Sequence, residues 1–229
     1  MFRGKRIVPF PSMRDERGVV LVVALIFLVL LTVLAISASG RSLLQERMAG
    51  NVRDAQLARM SAESALRGAE WRLWKYSADA GLHMQCGMGV LADCFVHDPA
   101  QPNDQVIAFR TSAGWLAEAG TEYKGSDGSL DFTRAEDATA VLAHNPRYLI
   151  EDLGEGRPSG EGAQEEYDPA VPRNHIYRIT ARATGANANT LSVLESTFSA
   201  RGGDGAAAEP GSGDARWRRR SWRVLDVGE

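Results

Sequence analysis

Few of the residues that mark a catalytic or cofactor-binding chain occur in this sequence. Its 229 residues contain no hydrolase elbow, P-loop, HExxH pair or dinucleotide fingerprint. That removes the best-marked hydrolytic, nucleotide-dependent and zinc-dependent chemistries. Charge of one sign is also scarce. The 26 Lys and Arg against 29 Asp and Glu leave a formal −3, so no basic excess points to nucleic acid. Cysteine is limited to Cys86 and Cys94. A pair so close in sequence fits one disulfide in an oxidising compartment. Proline is absent from the whole stretch between Pro11 and Pro99, so no residue there forces a helix to stop.

What is present is strongly uneven. Val19 to Ile36 is apolar except for Thr32. At 1.5 Å per residue such a run spans about 27 Å, the thickness of a bilayer core. A soluble core helix needs one apolar stripe, whereas this run is apolar on every side. Ahead of it, Arg3, Lys5, Arg6, Arg14 and Arg17 outnumber Asp15 and Glu16. Basic residues before the run and a mostly acidic chain after it place the N-terminus in the cytoplasm. Small residues after the run (Ala35, Ser37, Ala38, Ser39, Gly40) leave a cleaved secretory signal as an alternative to an anchor.

Beyond the apolar run, apolar or small residues recur at Leu44, Met48, Val52, Ala55, Ala58, Ala62, Leu66, Ala69 and Leu73. Steps of three and four mark one helix face, so a single helix is expected from Val19 to about Tyr76. Strands are expected at Arg147–Glu151, Ile176–Ala183 and Leu191–Phe198, with shorter ones at Gln105–Arg110 and, as an edge, Ser221–Val227. Alternation in the second strand predicts one buried and one solvated face. Gly185–Asn189 supplies the hairpin turn, Gly154–Pro172 reads as an acidic loop, and Gly202–Asp214 as a linker. The fold class expected is α+β: a long N-terminal helix on an antiparallel sheet, with a disulfide-bearing insert.

Two segments then acquire a family resemblance. Arg14-Asp15-Glu16-Arg17-Gly18 followed by Val19 resembles the class III leader of type IV pilins. Leu44-Gln45-Glu46-Arg47-Met48-Ala49-Gly50-Asn51, with Asp54 and Ala62-Glu63-Ser64-Ala65-Leu66-Arg67, is similar to the signature of PilX-type minor pilins. Within it, Glu46, Arg47, Met48, Gly50 and Asn51 form the most specific part. The resemblance implies cleavage after Gly18 by a prepilin peptidase and N-methylation of Val19. It also implies residues 1–18 as leader, 19–39 as the transmembrane half of the helix, 40–77 as its amphipathic half, and 78–229 as a periplasmic domain. Implied partners are other minor pilins, the major pilin, the inner-membrane assembly platform and the membrane itself. Most pilins carry glutamate at the fifth mature position, where this chain has Val23. A subunit that enters the filament first has no preceding neighbour for that carboxylate to pair with, so the departure fits a priming or tip subunit. Gly40 stands where many pilins carry a helix-loosening proline.

Other candidates are weighed beside this reading. Cys86 and Cys94 with His83, His97, Met84 and Met88 form the soft-ligand alternative to a disulfide. Glu161, Glu165, Glu166 and Asp168 form an acidic cluster without EF-hand spacing. Arg216-Trp217-Arg218-Arg219-Arg220-Ser221-Trp222-Arg223 is either an edge strand guarded by arginine or a DNA or anionic-surface contact. No cofactor, resident metal or catalytic residue is expected. A minor pseudopilin of type II secretion and a signal-anchored periplasmic enzyme remain as alternatives.

Overall fold

The computed structural model describes residues 17–80, 86–87, 94–156, 174–201 and 217–227. Residues 1–16 of the leader, His83, Met84 and Met88 lie outside them, as do the Glu161–Asp168 cluster and the 202–214 linker. Helix α1 (Arg17–Ala80) contributes to two compact units, Met1–Gly50 and Asn51–Glu229. It is followed by β1 (Cys94–Val96), α2 (Asp104–Thr111), β2 (Thr121–Glu122), β3 (Arg147–Glu155), β4 (Asn174–Thr184), β5 (Leu191–Arg201) and β6 (Trp217–Leu225).

The strands form one sheet in the order β1-β3-β4-β5-β6, with β2 also paired to β3. All pairings are antiparallel except β1 with β3, which is parallel. Ala62, Ala65, Leu66, Ala69 and Leu73 of α1 are fully buried against Tyr148, Ile150, Tyr177, Ile179, Ala181, Leu194 and Phe198 of the sheet, and Ala58 is fully buried one turn before them. The alanines are short, so the helix backbone can lie close to the strands, while Leu66 and Leu73 fill the remaining depth. Each such leucine contributes about 1.5–3 kcal/mol by leaving water. Gly68 belongs to the same face. A Cβ there would stand 2.2 Å from the Tyr123 ring, which is why a residue poor in helix propensity is tolerated at this turn.

The helical face is shorter than its spacing predicts. Leu44, Met48, Val52 and Ala55 are exposed, and burial begins only at Ala58. Gln105–Arg110, expected as a strand, is instead the body of α2. The Asn103 side chain accepts from the backbone N–H groups of Gln105 and Val106, which caps the helix start. Val106 and Phe109, three apart, then share one buried face with Leu149 of β3. Strand β3 runs past the expected end at Glu151 to Glu155. Gly154, at φ +85°, absorbs a register shift, and Glu155 still pairs with His175. Finally, β4 is not half-solvated. Its polar side is covered by α2, and Arg182 and Thr180 are as buried as their apolar neighbours.

Candidate functional site

The chemistry on α1 begins with a carboxylate pair. Glu63 and Glu70 are seven residues apart, two helical turns, so both stand on the same stripe about 10 Å apart. Facing them is β6, whose pairing with β5 shifts register between Thr197 and Phe198. The shift takes Arg220 out of the ladder. It places Arg219 and Trp222 on the same side of the strand, although their odd separation would otherwise put them on opposite sides. Arg219 donates to Glu70 through Nε (2.8 Å) and Nη2 (2.9 Å), and to Glu63 through Nη1 (3.1 Å). Trp222 donates its indole N–H to Glu63 at 2.7 Å, and Ser196 donates to Glu70 at 2.9 Å. Arg59 lies over the Trp222 ring, 5.1 Å from its centroid.

Charge is balanced within this seam. Partial burial pushes the Glu63 carboxyl up, but hydrogen bonds from Arg67, Trp222 and Arg219 outweigh it and leave the group below the ordinary carboxylate value. The Glu70 hydrogen bonds hold Arg219 above the usual guanidinium value. On the opposite side of the sheet, Glu195 of β5 joins Arg110 of α2 (2.8 Å) to Arg223 of β6. The seam therefore fixes the C-terminal strand to both helices through four carboxylate–arginine contacts.

Two further polar clusters lie on β3. Glu151 accepts from Arg178 at 2.7 Å and is 2.6 Å from His97 Nδ1. Its chain neighbour Asp152 points to the other face, where His175 Nδ1 is 3.0 Å away. Among the described residues no group of three or more His, Cys, Asp or Glu side chains is arranged to hold a metal ion. Cys86 and Cys94 are bonded to each other, so the soft-ligand alternative for these sulfurs does not apply.

The residues singled out from sequence fall into two sets. Gly18 and Val19 are exposed in the first turns of α1, with nothing within 4 Å of a Cβ built at Gly18. Val23 is exposed too, and so is every other residue from Val19 to Ile36. Thr32, the polar exception, satisfies its hydroxyl by donating to the Val29 carbonyl at 2.8 Å. Glu46, Arg47, Met48, Gly50 and Asn51 are likewise exposed. The later part of the signature, in contrast, holds the fold. Asp54 accepts from the backbone N–H groups of Ala186 (2.6 Å) and Asn187 (3.3 Å) in the β4–β5 turn. Ala62, Ala65 and Leu66 seat the sheet, and Glu63 binds the last strand. Of the basic patch, Arg219, Trp222 and Arg223 are engaged internally. Arg218 and Arg220 remain exposed.

Sequence reasoning missed three features: the Glu63/Glu70 clamp, the His97–Glu151–Arg178 cluster and the buried Arg182. The seven-residue spacing of the two glutamates was the available signal for the first.

Comparison with known families yields two matches, one following the other along the chain. Residues 17–67 match the family described as PilX N-terminal, and residues 76–200 match the one described as type IV pilus assembly protein PilX C-term. Neither the curated proteins nor the solved structures yield a match to the chain.

Proposed function

Because the chain belongs to the PilX family of type IV pilus assembly proteins, we propose that it is a minor pilin that helps prime pilus assembly from the filament tip. The observation that carries this reading is the first unit. Residues 19–36 are apolar on every side and exposed throughout, a surface suited first to lipid and then to the helices of neighbouring subunits. On this reading a prepilin peptidase cuts after Gly18 and Val19 becomes the methylated N-terminus. The anchored chain has its N-terminus in the cytoplasm and residues 78–229 in the periplasm, where the Cys86–Cys94 bond is compatible with the redox state. Its partners are other minor pilins, the major pilin and the assembly platform. Its role is structural, and the seam built on Glu63 and Glu70 serves cohesion rather than catalysis.

Val23 supports the tip position. A carboxylate within the membrane costs about 2.5–3.5 kcal/mol unless it finds a partner, and an initiating subunit has none ahead of it. The test is the amount of this subunit, per major pilin, in sheared pili from wild type and Val23→Glu. A priming subunit gives low abundance, label confined to one end and no gain in the variant. Label along the shaft, or a several-fold gain, would sink the tip assignment. A mature chain that begins anywhere other than Val19 would overturn the pilin processing itself.

A further inference from the structure

One side of the sheet ends at β6, which pairs with β5 and with no other described strand. Its outer edge therefore presents main-chain donors and acceptors along Trp217–Leu225. Beside that edge lies an open groove of about 450 Å³, lined by Arg59, Met60, Glu63, Ser64 and Arg67 of α1 and by Trp222. Its floor is apolar: Met60 is 68% exposed and Trp222 37%. Its rim is cationic. The Glu63 carboxylate is already taken up by Arg67, Arg219 and Trp222. Among the described residues Arg59, Arg218 and Arg220 make no ion pair; Arg59 and Arg67 line the groove, the Arg67 side chain 72% exposed, whereas Arg218, opposite Ser199, lies on the other side of the strand. Arginine on an edge, with a bulge at Arg220, guards against indiscriminate strand pairing. That guard accounts for Arg218 and Arg220. It does not account for a groove floored by a methionine and a tryptophan immediately alongside.

We infer that the outer edge of β6 and this groove receive an extended, acidic polypeptide segment of a partner protein, added to the sheet as a further strand. Main-chain hydrogen bonds supply the affinity in this mode, and alternate side chains supply the choice of partner. Every second residue of the incoming strand meets Met60 and Trp222, which suits aliphatic side chains. The alternate residues, on the other side of the incoming strand, bring their carboxylates toward Arg218, with Arg220 at the bulge beside it. The arginines thus act as a filter: they repel basic strands and leave neutral ones without compensation. The inference rests on the β6 edge alone and holds or fails independently of leader processing and of tip position.

The experiment uses the full chain in detergent micelles and a fluorescein-labelled, acetylated decapeptide alternating Glu and Val, followed by anisotropy. Saturable binding is expected, weakened about tenfold or more by Arg218→Glu with Arg220→Glu. The same peptide with its central valines replaced by proline keeps its charge but loses main-chain donors, and is expected to bind about tenfold more weakly. A Lys/Val peptide is expected not to bind. Absence of binding by the Glu/Val peptide overturns the inference. So does equal binding of the proline peptide, or of duplex DNA in its place at the same arginines, because the surface is then a general polyanion site. Should the charge-reversed variant fail to fold, Arg218→Gln with Arg220→Gln serves instead, with unchanged far-UV circular dichroism as its control.

Discussion

Under α1 the sheet is sealed by Ala62, Ala65, Leu66, Ala69 and Leu73, while under α2 its largest fully buried side chain is Arg182. The first face is closed by area removed from water. The second is closed by hydrogen bonds: Arg182 donates to the carbonyls of Phe109 (2.6 Å), Ser112 (2.5 Å) and Gly114 (2.6 Å). Those acceptors sit at and just beyond the C-terminus of α2, where carbonyls lack partners and the helix dipole favours a cation. The guanidinium also lies 5.6 Å from the centroid of the Phe109 ring. Burial brings its pKa down to about 10, so it stays charged at neutral pH, with no carboxylate paired to it among the described residues. The comparison separates two ways of docking a helix on a sheet. A helix of many turns can rely on summed apolar contacts, whereas the two turns of α2 bury only Val106 and Phe109 and need a polar anchor.

If that division is right, the largest loss follows removal of the anchor. Arg182→Ala strands three carbonyls and should destabilise the domain by about 3–5 kcal/mol in urea unfolding followed by tryptophan fluorescence. A loss under about 1 kcal/mol would mean that α2 is held by other contacts. On the α1 face, replacing Cys86 and Cys94 together by alanine should cost about 2–3 kcal/mol, by freeing the denatured chain. Ala65→Leu should cost about 1–3 kcal/mol through overpacking, and the same substitution at exposed Ala55 should be close to neutral. Equal effects at the two alanines would erase the apolar seal from the comparison. The smallest effect is at the rim. Because Glu63 is depressed below its usual 4.5, its contribution is present above that pH and lost as pH falls through the folded value. Glu63→Gln should therefore lower the melting temperature slightly near neutrality, with the gap to wild type closing below pH 4.5. A gap that persists in acid would point to packing instead.

How far the sequence discloses this arrangement follows the same division. The α1 face is legible because its residues recur at three and four, and the β4–β5 hairpin because alternation brackets a Gly-Ala-Asn turn. The α2 face is not. Val106-Ile107-Ala108-Phe109 is too short for its period to separate strand from helix, and the cap at Asn103 decides the matter. Arg182 alternates with apolar neighbours exactly as a solvated residue would, and what buries it comes from 68 to 73 residues away. The three residues of β1 pair in parallel with β3 and carry no pattern long enough to read. In the candidate site, the Glu63/Glu70 spacing is visible, but its partner Arg219 lies 156 residues from Glu63 and sits on the right side of β6 only because of the Arg220 bulge.

The Cys86–Cys94 bond has a mechanical corollary. Eight chain steps separate the two residues, and a stretched chain of that length would reach roughly 26–29 Å, yet their Cα atoms are held 4.9 Å apart. Cys86 follows the end of α1 and Cys94 opens β1, so the bond takes most of that hidden length out of the load path between the long helix and the sheet. A pull that arrives at Cys86 then passes to the β1–β3 ladder through the bond rather than through the loop it closes. Reduced protein should yield by more than 20 Å before the sheet bears the same force, which makes the bond a tether against stretching as well as a contribution to stability.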